Sequence, residues 1–205
     1  MSNTKPEELP WPQPGDQLFV VGQDAENNAW LKWRGDERWA AYAEGYKKAA
    51  DILVQRVQDT ASDQDFLVYP VCFLYRHYLE LRLKSLIMVG QQLRRKNLQF
   101  PKHHEVWKLW RESRAVLEQT WPDGPKIDLD NVEACIREFA DVDRSSITFR
   151  YPSAKDGKEN LSNVTHISLR NLSQVMGRLA SLLDCAFDGM SEMLCIRGQA
   201  EDYLR

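Results

Sequence analysis

Apolar residues recur every three or four positions along most of the chain, and short polar breaks separate these stretches. This spacing predicts five amphipathic helices joined by turns that contain Pro, Gly and Asp. We expect the helices at residues 36–59, 68–90, 104–120, 128–142 and 168–194. The predicted fold is therefore all-α, a bundle of about five helices in which residues 36–205 form one domain.

Residues that are typical of helix ends mark these boundaries. Asp36 is a candidate N-cap of the first helix, and Ser168 lies where the last helix is expected to begin. In the second helix, Asp65 is a candidate cap and Pro70 is tolerated only in a first turn. Gly90 is typical of a C-terminal end, so the second helix is expected to stop there.

Two regions depart from the helical pattern. Residues 1–35 are rich in proline, which disfavours helix, and in tryptophan, so this N-terminal arm is expected to pack on the domain. Residues 147–167, called the flap below, contain two β-prone stretches on either side of a turn at residues 155–158. Either a small hairpin or an irregular flap fits this pattern.

Composition limits the classes of partner. The 205 residues are 43% hydrophobic and 28% charged, with 27 Lys and Arg against 30 Asp and Glu. This near balance provides no long-range attraction for nucleic acid, so such a partner needs a local basic patch. Five charged or titratable residues interrupt the longest apolar stretch, residues 66–89, so no membrane partner is predicted. The first residues do not resemble a signal peptide, and we expect a cytoplasmic protein.

Cysteine and histidine spacing indicates neither a metal site nor a cofactor. The four cysteines form no Cys-x-x-Cys pair, and each lies in an apolar helical stretch: Cys72, Cys135, Cys185 and Cys195. We expect reduced thiols in the core. The tandem His103-His104 has no evident third or fourth ligand, and one of the two is a candidate cap of the third helix. No glycine-rich phosphate loop and no Gly-x-Ser-x-Gly turn occurs.

A charged stripe lies on the second helix, which is otherwise too apolar for a surface helix. The stripe consists of Arg76, His77, Glu80 and Lys84. With about 100° per residue, these side chains fall within an arc of roughly 100°, whereas Arg82 lies about 240° from Arg76. Buried charges must be paired or must face water. The stripe is therefore either the wall of a ligand pocket or an i, i+4 ladder of salt bridges.

A second group of polar residues lies at the end of the fourth helix and in the flap. Its members are Asp141, Asp143, Arg144, Ser145, Ser146, Arg150 and Tyr151. Arginine suits bidentate contacts with phosphate or carboxylate. Arg150 therefore either contributes to an anion site, or pairs with Asp141 or Glu80 and holds the flap in place.

Three segments resemble the HEPN-like superfamily in helix order over residues 36–195. Residues 73–86 (FLYRHYLELRLKSL) are similar to its LELxLK helix, and His103-His104 with Leu109-Trp110 and the Phe149-Arg-Tyr-Pro152 segment are similar to later parts. The resemblance implies an all-α bundle of four or five helices that pairs as a homodimer. Many members are metal-independent ribonucleases of toxin–antitoxin and phage-defence systems, and others are scaffolds or nucleotide-binding partners.

The nuclease signature of that superfamily, an Arg followed by His after four to six residues, does not occur in this chain. A catalytic site would have to combine other residues. The candidate catalytic residues are Arg76, His77, His104 and Arg150, with His166 as a further histidine. The candidate ligand-binding residues are Glu80, Lys84, Asp141, Arg144, Ser146 and Tyr151.

Two functions follow from these observations. The first is an RNA-directed toxin or phage-defence component, with an antitoxin or defence-system protein as partner. In it, a histidine acts as base on a ribose 2′-hydroxyl, and Arg76 and Arg150 hold the phosphate. The alternative is a non-catalytic, dimeric helical module that binds a protein, a nucleotide or RNA without cutting it.

Overall fold

Five α-helices make up the larger of two compact units of the chain. The computed structural model describes residues 11–33 and 35–203, and its contacts divide the chain into residues 1–33 and 34–205. The helices are α1 (Gly35–Thr60), α2 (Gln64–Leu93), α3 (Val106–Thr120), α4 (Lys126–Val142) and α5 (Leu169–Tyr203). No β-strand occurs among the described residues, and the predicted all-α fold is confirmed.

The N-terminal unit contains a single turn of 3₁₀ helix, Ala25–Asn27, in the part that the structure describes. The side chain of Asp24 caps this turn by accepting from the Glu26 amide. Pro6 and Pro10 lie outside the described residues, as does the Asp36 side chain expected to cap α1. The packing of the arm on the helical domain stays a prediction.

Helix α2 is central to the bundle, as its nearly uniform apolar surface predicts. It contacts α1, α3 and α5, and most of its residues from Val71 to Gly90 are buried. Charged residues are buried with the apolar ones: Arg76, Glu80, Arg82 and Lys84. The charges of the stripe therefore lie in the middle of the domain and need partners there.

The N-terminal end of α2 differs from the prediction. The helix begins at Gln64 with Asp63 as the N-cap residue, so Asp65 lies in its first turn and Pro70 in its second. Pro70 lacks the N–H that would bond to the Phe66 carbonyl. Both residues are exposed, so water can reach that carbonyl, and the helix tolerates the proline before its buried part begins.

Gly90 does not end α2, and its role is packing. A Cβ atom at this position would lie 2.4 Å from Cγ1 of Val116 in α3, so the close approach of the two helices requires glycine. The helix ends with Arg95 in the left-handed conformation, at φ 51°. The Lys96 amide donates to the Gln91 carbonyl, which is the hydrogen bond of a Schellman motif.

The flap is irregular. Ser153 and Glu159 form an isolated antiparallel bridge, and turns occupy much of the remaining flap, so of the two expected alternatives the irregular flap is found and the hairpin is not. The Asp143 carboxylate accepts hydrogen bonds from the Ile147 and Thr148 amides and fixes the turn before the flap. Such side-chain bonds to the backbone compete with strand pairing. The ring of Phe149 is buried in the domain.

Only part of the cysteine prediction is correct. All four thiols are free, but Cys72 is buried and Cys135 half-buried, whereas Cys185 and Cys195 are exposed on α5. An amphipathic helix turns one face to solvent, and the small cysteine side chain is tolerated there. None of the described helices is both long and apolar enough to cross a membrane.

Candidate functional site

The charged stripe forms a ladder of buried ion pairs along α2. Arg76, Glu80 and Lys84 are 0%, 2% and 3% exposed. Arg76 Nη1 donates to Glu80 Oε2 at 3.0 Å, and Lys84 Nζ donates to Glu80 Oε1 at 2.9 Å. One carboxylate thus bonds a cation one helical turn before it and another one turn after it.

Arg76 also connects α2 to two segments that are distant in sequence. Its Nε lies 3.3 Å from the carbonyl oxygen and 3.4 Å from Oδ2 of Asp143, the residue after α4. Its Nη2 donates to the carbonyl of His104, just before α3, at 2.6 Å. Both carbonyl groups lie outside the helices, so they accept no hydrogen bond from a helical backbone. The buried Arg76 guanidinium donates to them instead.

His104 is the exposed end of this network. Its Nδ1 lies 2.7 Å from Glu80 Oε1, and its side chain is 66% exposed. Burial raises the pKa of Glu80, but hydrogen bonds from Lys84, His104 and Arg76 outweigh burial and hold it below its usual value. Glu80 is therefore ionised and only accepts, so Nδ1 carries the proton. Nε2 of His104 is left as the basic nitrogen.

The neighbouring His103 faces a different carboxylate. Its Nε2 lies 3.3 Å from Oε1 of Glu112, in the second turn of α3. The N-cap position of α3 is occupied by Glu105, so the expectation that a histidine caps this helix is wrong. The two adjacent histidines thus have distinct surroundings, which makes His103 a matched control for His104.

His77 packs in an aromatic row. Its ring lies edge-on to Tyr46, with centroids 4.4 Å apart, and stacks on Phe73 at 5.7 Å. Burial lowers the pKa of His77, Glu80 opposes this shift, and the charge of Arg76 adds to it. The ring is therefore neutral at pH 7, and its surroundings favour packing over proton transfer.

Arg150 joins the aromatic row from the flap. Its Nε donates to the Ser146 carbonyl at 2.5 Å, and its guanidinium carbon lies 5.6 Å from the ring centroids of both Phe73 and Tyr151. It forms no ion pair with Asp141 or Glu80, the partners considered from sequence. The cation–π contact between Arg150 and Phe73 thus connects the flap to α2.

The other candidate residues lie apart from Glu80 and His104. Asp141 and Arg144 are exposed. Nε of Arg144 lies 3.7 Å from Oε2 of Glu105, the residue before α3. Ser146 is buried in a left-handed turn at φ 64°, and Tyr151 is half-exposed. His166 is exposed and lines a separate cavity of about 370 Å³ between α4, α5 and the flap.

Arg82 lies away from the stripe, as its angle of about 240° from Arg76 on the helix predicted. Its Nε lies 2.7 Å from Oδ1 of Asp184 in α5, and its guanidinium lies over the Phe187 ring at 4.7 Å. Sequence reasoning missed the role of Asp143, which binds Arg76 and also fixes the turn before the flap. An Asp at a helix end followed by Arg-Ser-Ser is a signal for such a turn, but not for its distant partner.

Comparison with known proteins assigns no family to the chain. Where the structure describes side chains, in residues 11–33 and 38–203, no three His, Cys, Asp or Glu side chains gather as metal ligands would. The resemblance to HEPN-like domains rests on the three segments quoted above and stays a prediction. No family model, no curated protein and no solved structure matches this chain.

Proposed function

We propose that this protein is a HEPN-like, RNA-directed enzyme in which His104 is the general base on a ribose 2′-hydroxyl. The supporting observation is the 2.7 Å contact between His104 Nδ1 and the buried carboxylate of Glu80. A carboxylate that binds one ring nitrogen orients the imidazole and fixes its tautomer, so the other nitrogen is free to accept a proton. The exposed ring is accessible to a polymeric substrate.

The reaction is transesterification within the RNA strand. His104 Nε2 takes the proton of the 2′-hydroxyl, and the 2′-oxygen forms a bond to the adjacent phosphorus. The bond from phosphorus to the 5′-oxygen breaks, and the leaving oxygen takes a proton from water. The products carry a 2′,3′-cyclic phosphate and a 5′-hydroxyl, and DNA is no substrate because it lacks the nucleophile.

Arg76 and Lys84 act on this site through Glu80. Both cations are buried and bonded to its carboxylate, so they keep Glu80 ionised and in position. This changes the expectation that Arg76 itself holds the phosphate, since a fully buried guanidinium does not reach a polymer. In a cell, such an enzyme would act as a toxin or phage-defence component restrained by a partner protein.

The test compares purified wild type, His104→Ala and His103→Ala on a labelled single-stranded RNA and the same DNA sequence. We expect wild type to cut only the RNA, and His104→Ala to lower the rate by a factor of about 10²–10⁴. His103→Ala should stay within a few-fold of wild type. End-group analysis should find the cyclic phosphate. Equal rates for wild type and His104→Ala, or intact RNA with wild type, would sink the proposal.

The second candidate is a non-catalytic, dimeric binding module. The mutual neutralisation of the stripe favours it, because two cations, Arg76 and Lys84, face two carboxylates, Glu80 and Asp143. In such a network the buried charges compensate one another, so it offers no net charge to a ligand. A dimer by light scattering, with RNA or protein binding and no turnover, would favour this function over the first.

A further inference from the structure

A cleft of about 390 Å³ lies between the start of α2 and the flap, away from Glu80 and His104. Tyr69 forms its wall on α2, and the flap contributes polar and aromatic residues. The lining residues that carry the argument are Tyr69, Thr148, Arg150, Tyr151, Glu159 and Asn160. We call it the Tyr69–Arg150 cleft.

Arg150 presents unused donors to this cleft. Among the described side chains, those of residues 11–33 and 38–203, no carboxylate lies within 4.0 Å of its guanidinium, whereas Arg76, Arg82 and Arg144 all have one. Its Nε is held by the Ser146 carbonyl, and the rings of Phe73 and Tyr151 flank its guanidinium. Its position is thus fixed while Nη1 and Nη2 are left for an anion, in the fork geometry that phosphate accepts.

Two tyrosine rings give the cleft an aromatic surface. Tyr69 and Tyr151 are 49% and 55% exposed, which leaves a large part of each ring open to a ligand. Exposed aromatic rings beside a guanidinium are the combination on which nucleobases stack. A simple inorganic anion would make no use of these rings.

Hydrogen-bond acceptors complete the site. Asn160 Nδ2 donates to the Tyr151 carbonyl at 2.8 Å, so the amide is oriented and its Oδ1 is left to accept. Glu159 lines the same cleft, and its negative charge disfavours a ligand that is anionic throughout. A ligand with a phosphate at one end and ring N–H donors at the other fits both charges.

We propose that the Tyr69–Arg150 cleft binds a nucleotide, with the phosphate on Arg150 and the base against Tyr69 and Tyr151. The volume is in the range of small-ligand sites. A free mononucleotide and one unit of single-stranded RNA present the same chemistry. The site is distinct from the proposed catalytic pair, because neither Glu80 nor His104 lines the cleft.

Calorimetry with AMP, adenosine and inorganic phosphate tests the assignment on wild type, Arg150→Gln, Tyr69→Ala and Tyr69→Phe. Arg150→Gln should weaken AMP binding about tenfold or more, and leave adenosine binding unchanged. Tyr69→Ala should weaken AMP and adenosine alike by about tenfold, whereas Tyr69→Phe keeps the ring and the affinity. Arg170→Ala is the matched control, since Arg170 is an exposed arginine at the start of α5 that does not line the cleft.

A competition experiment distinguishes a free nucleotide from one unit of an RNA strand. A pentaribonucleotide without terminal phosphates that binds tighter than AMP, and is displaced by it, identifies an RNA strand. Tighter binding of AMP identifies the free nucleotide. The competition experiment is repeated with His104→Ala. If this variant no longer cleaves RNA but still binds the ligand, binding in the cleft is independent of the proposed reaction.

Two results would overturn the assignment. One is the absence of any nucleotide or oligonucleotide binding at millimolar concentration by wild type. The other is wild-type AMP affinity in Arg150→Gln. Tyr69 and Arg150 are exposed, so their variants are expected to fold. Circular dichroism and the melting temperature of each variant then separate lost binding from a damaged fold.

Discussion

The Arg76 guanidinium and the Glu80 carboxylate bond at 3.0 Å, one helical turn apart, with both side chains almost completely buried. Lys84 binds the other carboxylate oxygen from the next turn. Glu80 is thus the only carboxylate in the described i, i+4 ladder on α2. Lys84 depends on it for charge compensation, whereas Arg76 also pairs with the buried carboxylate of Asp143. Breaking a buried pair by removing one member costs more than the pair contributes, because the other charge stays buried.

Glu80→Gln should therefore lower the free energy of unfolding by about 3–5 kcal/mol, because Lys84 is left without a buried counter-charge and Arg76 keeps only the Asp143 carboxylate. Urea denaturation followed by circular dichroism measures the change. Glu192→Gln on the exposed face of α5 is the control and should change stability by less than about 0.5 kcal/mol. Wild-type stability in Glu80→Gln would mean that water reaches the two cations.

The pH dependence of stability should contain a contribution from His77. Its pKa in the folded protein lies below the ordinary 6.5, chiefly because burial disfavours the imidazolium. As the pH falls below 6.5, the unfolded chain binds a proton at His77 before the folded chain does, so folding becomes less favourable. The loss of unfolding free energy between pH of about 7.5 and 5.5 should be smaller in His77→Phe, which keeps the aromatic packing. Identical slopes in the two proteins would contradict the shift.

Gly90→Ala should destabilise the protein by about 1–3 kcal/mol, although alanine is the better helix former. The added methyl group would lie 2.4 Å from Val116 Cγ1, so α2 and α3 must separate. Gly177→Ala in α5 is the control, because a Cβ there meets nothing within 4 Å, and it should stabilise by about 0.5–1 kcal/mol. Adding Val116→Ala should recover part of the Gly90→Ala loss. Equal effects of the two glycine substitutions would argue against the close approach.

Pro70→Ala should stabilise α2, since it restores the N–H that bonds to the Phe66 carbonyl within the helix. The expected gain is about 1–2 kcal/mol, less than the full interior-proline penalty, because proline also restricts the unfolded chain. Urea denaturation measures it, and hydrogen exchange of residues 64–70 should slow. Unchanged exchange in the variant would show that the first two turns of α2 are held by other contacts.

Much of the secondary structure was predictable because helix formation follows local periodicity. The spacing of Leu172, Met176, Leu179 and Leu183 predicted one buried face of α5, and all four are buried or half-buried. Helical geometry likewise gave the Arg76–Glu80–Lys84 ladder as one of two alternatives, because its members share one face of one helix. Both inferences need only neighbours within a few residues.

The residues at helix ends were less predictable. Pro70 and Gly90 are typical helix boundaries, yet both lie inside α2. One is tolerated because the first turns face water, and the other is required because Val116 approaches from α3. Neither reason is visible in the local sequence.

By itself, the sequence determined the number of helices, the central position of α2 and the face on which its charges lie, since each depends on side-chain periodicity along one helix. Tertiary structure alone decided which of these charges meet other segments. The contacts of Glu80 with His104 and of Arg76 with Asp143 join residues 24 and 67 positions apart. Separations of that size carry no helical period, so the packing of α3 against α2, and of α4 against α3, brings the candidate site together.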